Sequence, residues 1–567
     1  MKFISIKFKE NYTDYLRILL LLLFSFFICY YYGFKGIIPL DDFVNLNSGY
    51  RVFNGDLPFR DYYEITGPAL SIIQSIFFNI FGLSWKSYVL HSSVINCITS
   101  IIIYIYFLNI LENKNLSLII SILFAVLFYP NNGVPGVDHH AWALAIASLL
   151  LFNIGFEKKK YSYVFFSIFA FFISFFIKQV PAAYIFILMG ILYFSQSIHE
   201  KKIIYLFRII LTTLVFLFLI IFMMRANGID LQQVFQQYFL MLFNFGSERI
   251  IKINIYLIKE NLSQIYFLFF LIFPTIFLFF KKKNINFSEK KFFIIILSLI
   301  LSAFFYEIHT NNQAMTFALI PIISGLIFQI QRNLKDETIL KYIYVSLIIV
   351  CIFKIIQFEA NFLYLLIIFL IANFYLLKKK KFFFNLNFLL VIYLLVTSFY
   401  YFELNIKSRK YKDISFDKKI ISFDGAKIHK FFENFEWKIN SKISADEYIK
   451  EKKDIISLLE KFEKNYIFIT DYQFYNLILQ KKDFSPVKYW STEISYPSKK
   501  NKLRDNFEEF FFKKIIDNNI EYIIFDQTTS TFNENILDYS FLSKCFENKI
   551  IDEDLKLEIF KFRFNCF

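Results

Sequence analysis

The chain has 567 residues, of which 57% are hydrophobic, and its mean hydropathy is +0.48. A soluble globular protein of this length needs more polar surface than this composition supplies, so the sequence predicts a polytopic membrane protein. The formal net charge is +15. The basic residues occur in short runs between apolar segments, a placement that indicates membrane topology and argues against nucleic-acid binding.

The apolar segments predict most of the architecture. Because a spanning helix needs about 20 apolar residues, we expect an α-helical membrane protein with about thirteen transmembrane helices. These are predicted near residues 15–36, 86–111, 116–130, 139–156, 161–178, 180–197, 203–223, 262–280, 292–306, 314–330, 340–356, 361–377 and 382–402. The apolar segment Pro68–Phe81 is shorter, and we expect a helix that lies at the membrane interface.

Lysine runs mark every second loop of this pattern. They occur at Lys158–Lys160, Lys201–Lys202, Lys281–Lys283, Lys290–Lys291 and Lys378–Lys381, and further basic residues precede the first helix. The intervening loops 130–138 and 306–313 contain no Lys or Arg. By the positive-inside rule, the N-terminus of this inner-membrane protein is cytoplasmic and the segment 39–84 lies on the outer face.

The composition changes at about residue 403, where charged residues become frequent. Short β-like runs at Tyr466–Thr470 and Tyr522–Phe525 alternate with helical patterns at Ala445–Lys464 and Phe507–Ile516. This alternation predicts that residues 403–567 form a small α/β domain, which thirteen spans place outside the membrane. Cys545 and Cys566 lie in this oxidising environment, which permits a disulfide between them.

The predicted outer loops, of which the polar stretch from Asp41 to Pro68 is the first, contain most of the candidate site residues. They are Asp41, Asp42, Arg60, Asp61, Glu64, Asp138, His139, Lys178, Glu307 and His309. Two adjacent carboxylates at a membrane face are costly, so we interpret Asp41 and Asp42 as functional. The alternative is that this pair caps a helix, an interaction worth about 0.5–2 kcal/mol. For Asp138, helix capping, catalysis and a metal site with the adjacent histidines stay open.

Carboxylates facing cations on one side of a membrane suit group transfer from a phosphate-linked donor. A carboxylate can act as the general base that accepts a proton from an acceptor hydroxyl. A Lys or Arg side chain can stabilise the charge that develops on the departing phosphate. An apolar groove between helices would hold a lipid carrier.

The order of motifs resembles the GT-C superfamily of glycosyltransferases that use polyprenyl-phosphate sugars, in particular the aminoarabinose transferases and protein mannosyltransferases. The resemblance rests on the Asp41–Asp42 pair, on GYRVFNGDLPFRD (Gly49 to Asp61) and on GPALSIIQSIFFNIFG (Gly67 to Gly82). VDHHAWALAIASLLL and FFIKQVPAAYIF are similar to later helices of that family. One departure is Gly67-Pro68, where relatives often have two prolines.

The resemblance implies roles for individual residues. Asp41 matches the position of the catalytic base, Asp42 that of its acidic partner, and Asp138 that of a second acid. Lys178 matches a basic residue near the donor phosphate. With Arg60, Asp61, Glu64, His139 and His309, Lys178 completes the predicted substrate-binding set. Some relatives use a divalent cation and others do not, so no cofactor is assigned and a divalent cation stays open.

Taken together, the sequence predicts a membrane glycosyltransferase with a catalytic domain at residues 1–402 and an outer domain at 403–567. Its donor would be a sugar on a polyprenyl-phosphate carrier, and its acceptor a lipid, a glycan or a protein. The alternatives are a translocator of lipid-linked glycans, which would need a cationic cavity and broken helices, and a non-catalytic membrane scaffold that presents the tail to partners.

Overall fold

The computed structural model describes residues 12–36, 39–111, 114–129, 133–158, 160–179, 203–242, 420–440, 443–492, 494–529 and 534–566, together with positions 182–183, 186 and 532. The spans predicted near 262–402 and the predicted site residue His309 lie outside these residues.

The N-terminal part of the described chain is helical. Its longer helices are α1 (Tyr12–Tyr32), α2 (Pro39–Phe53), α3 (Ala69–Phe81), α4 (Trp85–Leu111), α5 (Lys114–Leu127), α6 (Val137–Lys158), α7 (Tyr161–Phe175) and α8 (Ile203–Ala226). A short turn at Leu231–Val234 continues into a π-helical segment at Phe235–Leu240. Helix α4 contacts α1, α5 and α6, while α7 packs along α6 and α2 packs along α3.

Three of the described helical segments are long and apolar enough to cross a membrane. They are Tyr12–Tyr32, Trp85–Asn109 and Leu206–Ala226. Shorter apolar helices cover Ser117–Val126, Val137–Phe152 and Tyr161–Phe175, where spans are also predicted. The chain is thus a helical membrane protein, and the total of about thirteen spans stays a prediction.

The expectation of a polar loop from Asp41 to Pro68 is wrong for its first half, because Pro39–Phe53 is the helix α2. The reason is visible in the spacing of Phe43, Leu46 and Tyr50, which follow each other at intervals of three and four residues and are all buried. Prediction from polarity alone missed this stripe. A helix is present where one is expected at Pro68–Phe81, as α3, and its place at the membrane interface stays a prediction.

The C-terminal region contains two sheets. Strands β1 (Ile420–Asp424) and β2 (Glu436–Asn440) form an antiparallel pair. The larger sheet has the strand order β3-β4-β6-β5, with β3 at Tyr466–Ile469, β4 at Tyr522–Asp526, β5 at Phe546–Asp552 and β6 at Leu557–Phe562. Strands β3 and β4 are parallel, and the other neighbours are antiparallel. Helices α9 (Ala445–Lys461) and α10 (Arg504–Asp517) complete a small α/β fold, as the sequence predicts.

The two parts of the chain share one hydrophobic core. Phe43 of α2 contacts Trp437 and Phe474 of the C-terminal region, with ring centroids 5.7 and 4.9 Å apart. Trp85 at the start of α4 packs against Phe435 at 4.6 Å. The C-terminal region therefore lies directly on α2 and on the beginning of α4.

Cys545 and Cys566 form a disulfide. Cys545 ends a short helix before β5, and Cys566 follows β6, so the bond links the two ends of the β5–β6 hairpin. The backbone N–H of Arg563 also donates to the Cys545 carbonyl oxygen at 2.9 Å.

Replacing Cys545 by Ser should destabilise the C-terminal region by about 3 kcal/mol, because a loop of 21 residues is no longer closed in the unfolded chain. Hydrogen–deuterium exchange of β5 and β6 measures this loss directly. Cys97→Ser, at a cysteine outside any disulfide, is the control and should leave exchange in this hairpin unchanged. Equal protection in both variants would contradict the prediction.

Candidate functional site around the N-terminus of helix α2

Asp41 and Asp42 lie in the first turn of α2, and their surroundings differ. Asp41 is exposed, whereas Asp42 is buried. Both carboxylates interact favourably with the positive end of the helix dipole, so the capping alternative is compatible with this position. The amide of Asn45 donates to the Asp41 carbonyl oxygen at 2.9 Å, which fixes the backbone that carries the exposed acid.

The hydroxyl of Tyr88 joins the start of α2 to the loop before α6. Its oxygen lies 2.9 Å from the carbonyl oxygen of Asp42 and 3.1 Å from that of Pro135. Pro135 precedes Asp138 by three residues. The buried Tyr88 thereby links the turn that carries Asp41 and Asp42 to the segment that carries Asp138. No sequence motif pointed to Tyr88.

Asp138 and Lys178, predicted separately, form an ion pair. The Lys178 ammonium lies 2.7 Å from Asp138 Oδ1, and both side chains are partly exposed. Asp138 lies in the first turn of α6, and Lys178 follows the end of α7. A Lys ammonium held in this way can donate charge-assisted hydrogen bonds to a phosphate group.

His139 is buried and contacts the rings of Phe128 and Tyr129, with centroids 6.0 and 5.6 Å away. The His139 side chain thus lies inside the helical bundle, next in sequence to Asp138. Within the part of the chain that the structure describes, no three side chains of His, Cys, Asp or Glu form a metal-binding cluster.

A buried chain of hydrogen bonds crosses the bundle below these acids. His140 Nε2 lies 2.8 Å from His91 Nε2, and His91 Nδ1 lies 2.8 Å from Gln74 Oε1. The Tyr129 hydroxyl contacts His140 Nδ1. If Gln74 Oε1 accepts from His91 Nδ1–H, then His140 donates through Nε2–H and accepts the Tyr129 proton. One tautomer of each ring thus satisfies the chain, which links α3, α4 and α6.

Arg60 and Asp61 pair with each other beside the end of α8. Arg60 Nε and Nη2 contact Asp61 Oδ2 at 3.0 and 2.6 Å, and Arg60 Nη1 donates to the Asn227 carbonyl oxygen at 3.0 Å. Burial raises the pKa of the Asp61 carboxyl, but hydrogen bonds from Arg60 and from the Leu57 N–H outweigh it, so the pKa lies below its ordinary value.

Glu64 is completely buried and has its own partners. Its Oε2 lies 3.2 Å from Lys488 Nζ, in a pair whose side chains are 0% and 3% exposed. Its Oε1 accepts from the hydroxyl and N–H of Thr66 at 2.6 and 2.9 Å. Lys488 also donates to the Thr66 hydroxyl at 2.9 Å. These contacts give Glu64 a role in holding the chain, and its predicted contact with substrate stays a prediction.

Residues 481–488 of the C-terminal region run along the 39–84 segment and bind it through the backbone and through side chains. The Tyr63 N–H donates to the Pro486 carbonyl oxygen at 2.8 Å, and the Lys488 N–H donates to that of Tyr63 at 3.2 Å. The Asn47 amide donates to Asp483 Oδ2 at 2.6 Å. No motif in residues 481–488 predicted this association.

Arg51 is the buried centre of the same contact. Its Nε lies 3.2 Å from Asp56 Oδ2, and its Nη1 donates to the Val487 carbonyl oxygen at 3.3 Å. Its guanidinium also stacks over the Tyr62 ring at 4.1 Å. Burial lowers the pKa of Arg51, but Asp483 and Asp56 outweigh this effect and raise it, so the side chain is a fixed cation.

The departure at Gly67 has a structural reason. Its φ is +130°, which the ring of proline forbids, and a Cβ there would lie 2.2 Å from the Phe176 carbonyl oxygen. The next N–H, that of Ala69, donates to this oxygen at 3.0 Å. Gly67 thus allows the start of α3 to pack against Phe176. This residue directly follows α7 and precedes Lys178 by two positions.

No protein-family model and no curated protein matches the sequence. Among solved structures, the chain is similar to the crystal structure of ArnT from Cupriavidus metallidurans in the apo state. The identity is 9% and the TM-score is 0.41, over 97% of this chain and 98% of that chain. ArnT is a GT-C aminoarabinose transferase.

Replacing Lys488 by Met should destabilise the protein by about 3–5 kcal/mol, because the buried Glu64 carboxylate loses its charge partner. The thermal midpoint of the detergent-solubilised chain measures the change, and the double variant E64Q/K488M should recover part of it. The matched control is Lys464→Met, which breaks the exposed Lys464–Glu521 pair and should leave the midpoint unchanged. Equal thermal midpoints for Lys488→Met and Lys464→Met would show that the buried Glu64 carboxylate does not need Lys488 as its charge partner.

Gly67→Ala should displace the start of α3 from α7 and expose the 39–84 segment to trypsin, since the added methyl group collides with the Phe176 carbonyl. Gly55→Ala is the matched control, because Gly55 also has a positive φ, of +91°, but a Cβ there meets nothing within 4 Å. Both variants carry backbone strain of about 1–3 kcal/mol. Faster proteolysis only in Gly67→Ala is expected, and equal rates would contradict the close approach.

Proposed function

We propose that this chain is a membrane glycosyltransferase of the GT-C type that uses a sugar on a polyprenyl-phosphate carrier. The acceptor is a lipid, a glycan or a protein on the outer face. The observation that carries the proposal is the pairing of Asp138 with Lys178 beside the exposed Asp41 turn, with Tyr88 connecting the two acid-bearing segments.

In this proposal Asp41 is the general base. Its carboxylate accepts the proton of an acceptor hydroxyl as that oxygen bonds to the anomeric carbon of the sugar. The bond between this carbon and the carrier phosphate breaks, and the phosphate leaves with the electron pair. Lys178 stabilises the leaving phosphate through charge-assisted hydrogen bonds. Asp138 holds the ammonium in place before the donor arrives, and the buried Asp42 supports the turn that presents Asp41.

The remaining predicted residues have supporting places in this proposal. Arg60 and Asp61 belong to a second, cationic cluster at the end of α8, and the buried Glu64 holds the 39–84 segment against Lys488. No step of the proposal requires a divalent cation. Asp41, Asp138 and the donor phosphate oxygens are the ligands that such an ion would use.

The proposed topology follows from the shared core. Because the C-terminal region packs on α2 and on the 39–84 segment, the two lie on the same side of the membrane. With α1 as a membrane span, the N-terminus in this proposal lies on the opposite side. We propose the catalytic membrane domain at residues 1–402 and the outer domain at 403–567, with the N-terminus in the cytoplasm.

Asp41→Asn should abolish sugar transfer, since an amide cannot accept the acceptor proton at neutral pH, while membrane insertion and the thermal midpoint stay unchanged. A lost general base reduces the rate by about 10²–10⁴-fold. The assay measures release of the polyprenyl phosphate from a panel of lipid-linked sugars in reconstituted vesicles.

The matched control for this experiment is Asp446→Asn. Asp446 is also an exposed aspartate in the first turn of a helix, α9, so its substitution removes the same charge from a similar position. We expect full transfer activity in this variant. Undiminished activity in Asp41→Asn would remove Asp41 from the role of base.

A further inference from the structure

Four cationic side chains meet where the C-terminal region covers the outer edge of the 39–84 segment. Arg51 and Arg60 belong to that segment, Lys482 to the 481–488 segment, and Lys514 to α10. Lys514 Nζ lies 3.9 Å from Asp61 Oδ1, on the carboxylate that Arg60 also contacts. Lys482 Nζ lies 3.7 Å from Asp56 Oδ1, on the carboxylate that Arg51 contacts.

The charges of this cluster do not balance. Against the four cations stand the carboxylates of Asp56, Asp61 and Asp483, which leaves an excess of one positive charge. Asp483 is already engaged by the Asn47 amide and the Ser485 N–H, at 2.6 and 2.9 Å. Arg51 is buried against Asp56 and the Val487 carbonyl oxygen, so a ligand would meet the two lysines and Arg60 instead.

Neither lysine ammonium has a hydrogen-bond acceptor among the described residues. Both carboxylate distances exceed the 2.7–3.2 Å of a hydrogen bond. The Lys514 side chain is only 10% exposed, so water replaces the missing acceptor poorly. Desolvation, followed by the charge of Arg51, lowers the pKa of Lys514 to about 8, although Asp56 and Asp61 raise it. An anion bound here would accept hydrogen bonds from both ammonium groups and would balance the excess positive charge of the cluster.

The position of the cluster indicates where this anion comes from. Arg60 Nη1 donates to the carbonyl oxygen of Asn227, which directly follows α8. The Leu206–Ala226 part of α8 is long and apolar enough to cross a membrane. The cluster therefore lies beside the end of a candidate span, and the ends of spans are where lipid head groups occur.

We propose that Arg60, Lys482 and Lys514 bind a phosphate monoester group at the membrane boundary. The two ammonium groups and the one unused Nη1–H of Arg60 supply donors for its three oxygens. A dianion matches this donor set better than a carboxylate, which has two oxygens and one charge. The site is separate from Asp41, Asp138 and Lys178, and binding at it does not depend on the proposed transferase activity.

Binding at this site should depend on pH. The charged groups that face Lys514 are Arg51, Lys482, Asp56 and Asp61, and the pKa of Lys514 itself is lowered to about 8. A phosphate monoester is already a dianion above about pH 7. Since Lys514 loses its proton above about pH 8 when the site is empty, the affinity should fall about tenfold between pH 7 and about pH 9.

The test is calorimetric titration of the full chain in detergent with short-chain phosphatidic acid, inorganic phosphate and short-chain phosphatidylcholine. Phosphatidic acid should bind to the wild type, and Lys514→Gln and Lys482→Gln should each weaken binding about tenfold or more. Lys513→Gln, the neighbouring exposed lysine of α10, is the charge-matched control and should bind as the wild type does. Thermal midpoints verify folding, and Lys482, which is 50% exposed, is the substitution least able to perturb it.

The two phosphate probes distinguish the source of the ligand. Tighter binding of phosphatidic acid than of inorganic phosphate identifies a lipid head group, and equal affinities identify a phosphate group recognised without its lipid. The proposal is overturned if Lys514→Gln and Lys482→Gln both bind phosphatidic acid like the wild type. Equal binding of phosphatidylcholine would overturn it as well, because a zwitterionic phosphodiester lacks the second charge.

Discussion

The buried ion pair between Glu64 and Lys488 is the constraint on which the candidate site depends. Two charges removed from water are tolerated only together, so the pair fixes where the 481–488 segment lies against the 39–84 segment. Thr66, which shares both partners, carries this restraint into Gly67 and the start of α3. From there the contact with Phe176 positions the end of α7, and hence Lys178 beside Asp138.

This constraint separates the acids of the 39–84 segment into two groups. Asp42, Asp56 and Glu64 are buried, and the last two of these face cations that hold the fold. Asp41 is exposed at the N-terminus of α2. A cluster of acids that looked uniform in sequence is thus mostly structural, and this narrows the proposed chemistry to Asp41 and the Asp138–Lys178 pair. The C-terminal region stabilises these buried charges, because Lys488 pairs with Glu64 and the Val487 carbonyl oxygen accepts from Arg51.

Much of this arrangement is readable from the sequence, because it follows from hydrophobic period and length. The apolar helices, the short helix α3, and the strands near Tyr466 and Tyr522 are of this kind. Helix α2 was missed because polar residues such as Asn45, Ser48 and Arg51 are buried in it alongside the apolar stripe of Phe43, Leu46 and Tyr50. Burial of polar groups depends on partners distant in sequence, which one chain does not reveal.

The same reasoning explains which parts of the site the sequence predicted. Asp138 and Lys178 were each identified by position at a helix end, but only the packing of α6 on α7 pairs them. Tyr88 and His91 belong to no recognisable motif. The signal that the sequence offered for them was a polar side chain within an apolar helix. The glycine at position 67 was noted as a departure, and its meaning required the positive φ and the neighbouring carbonyl.

The association of the two regions also limits how the function can be dissected. Removing residues 420–566 would leave Glu64 buried or exposed without Lys488, and would uncover Phe43 and Trp85, which now pack on Trp437 and Phe435. A truncated chain would then lose the geometry of α2 and α3 whether its C-terminal region is catalytic, supportive or a docking platform. Loss of activity on truncation therefore cannot locate the chemistry. Substitutions that leave the Glu64–Lys488 pair intact can, because they change one side chain at the site while the surface that orients α2 and α3 is kept.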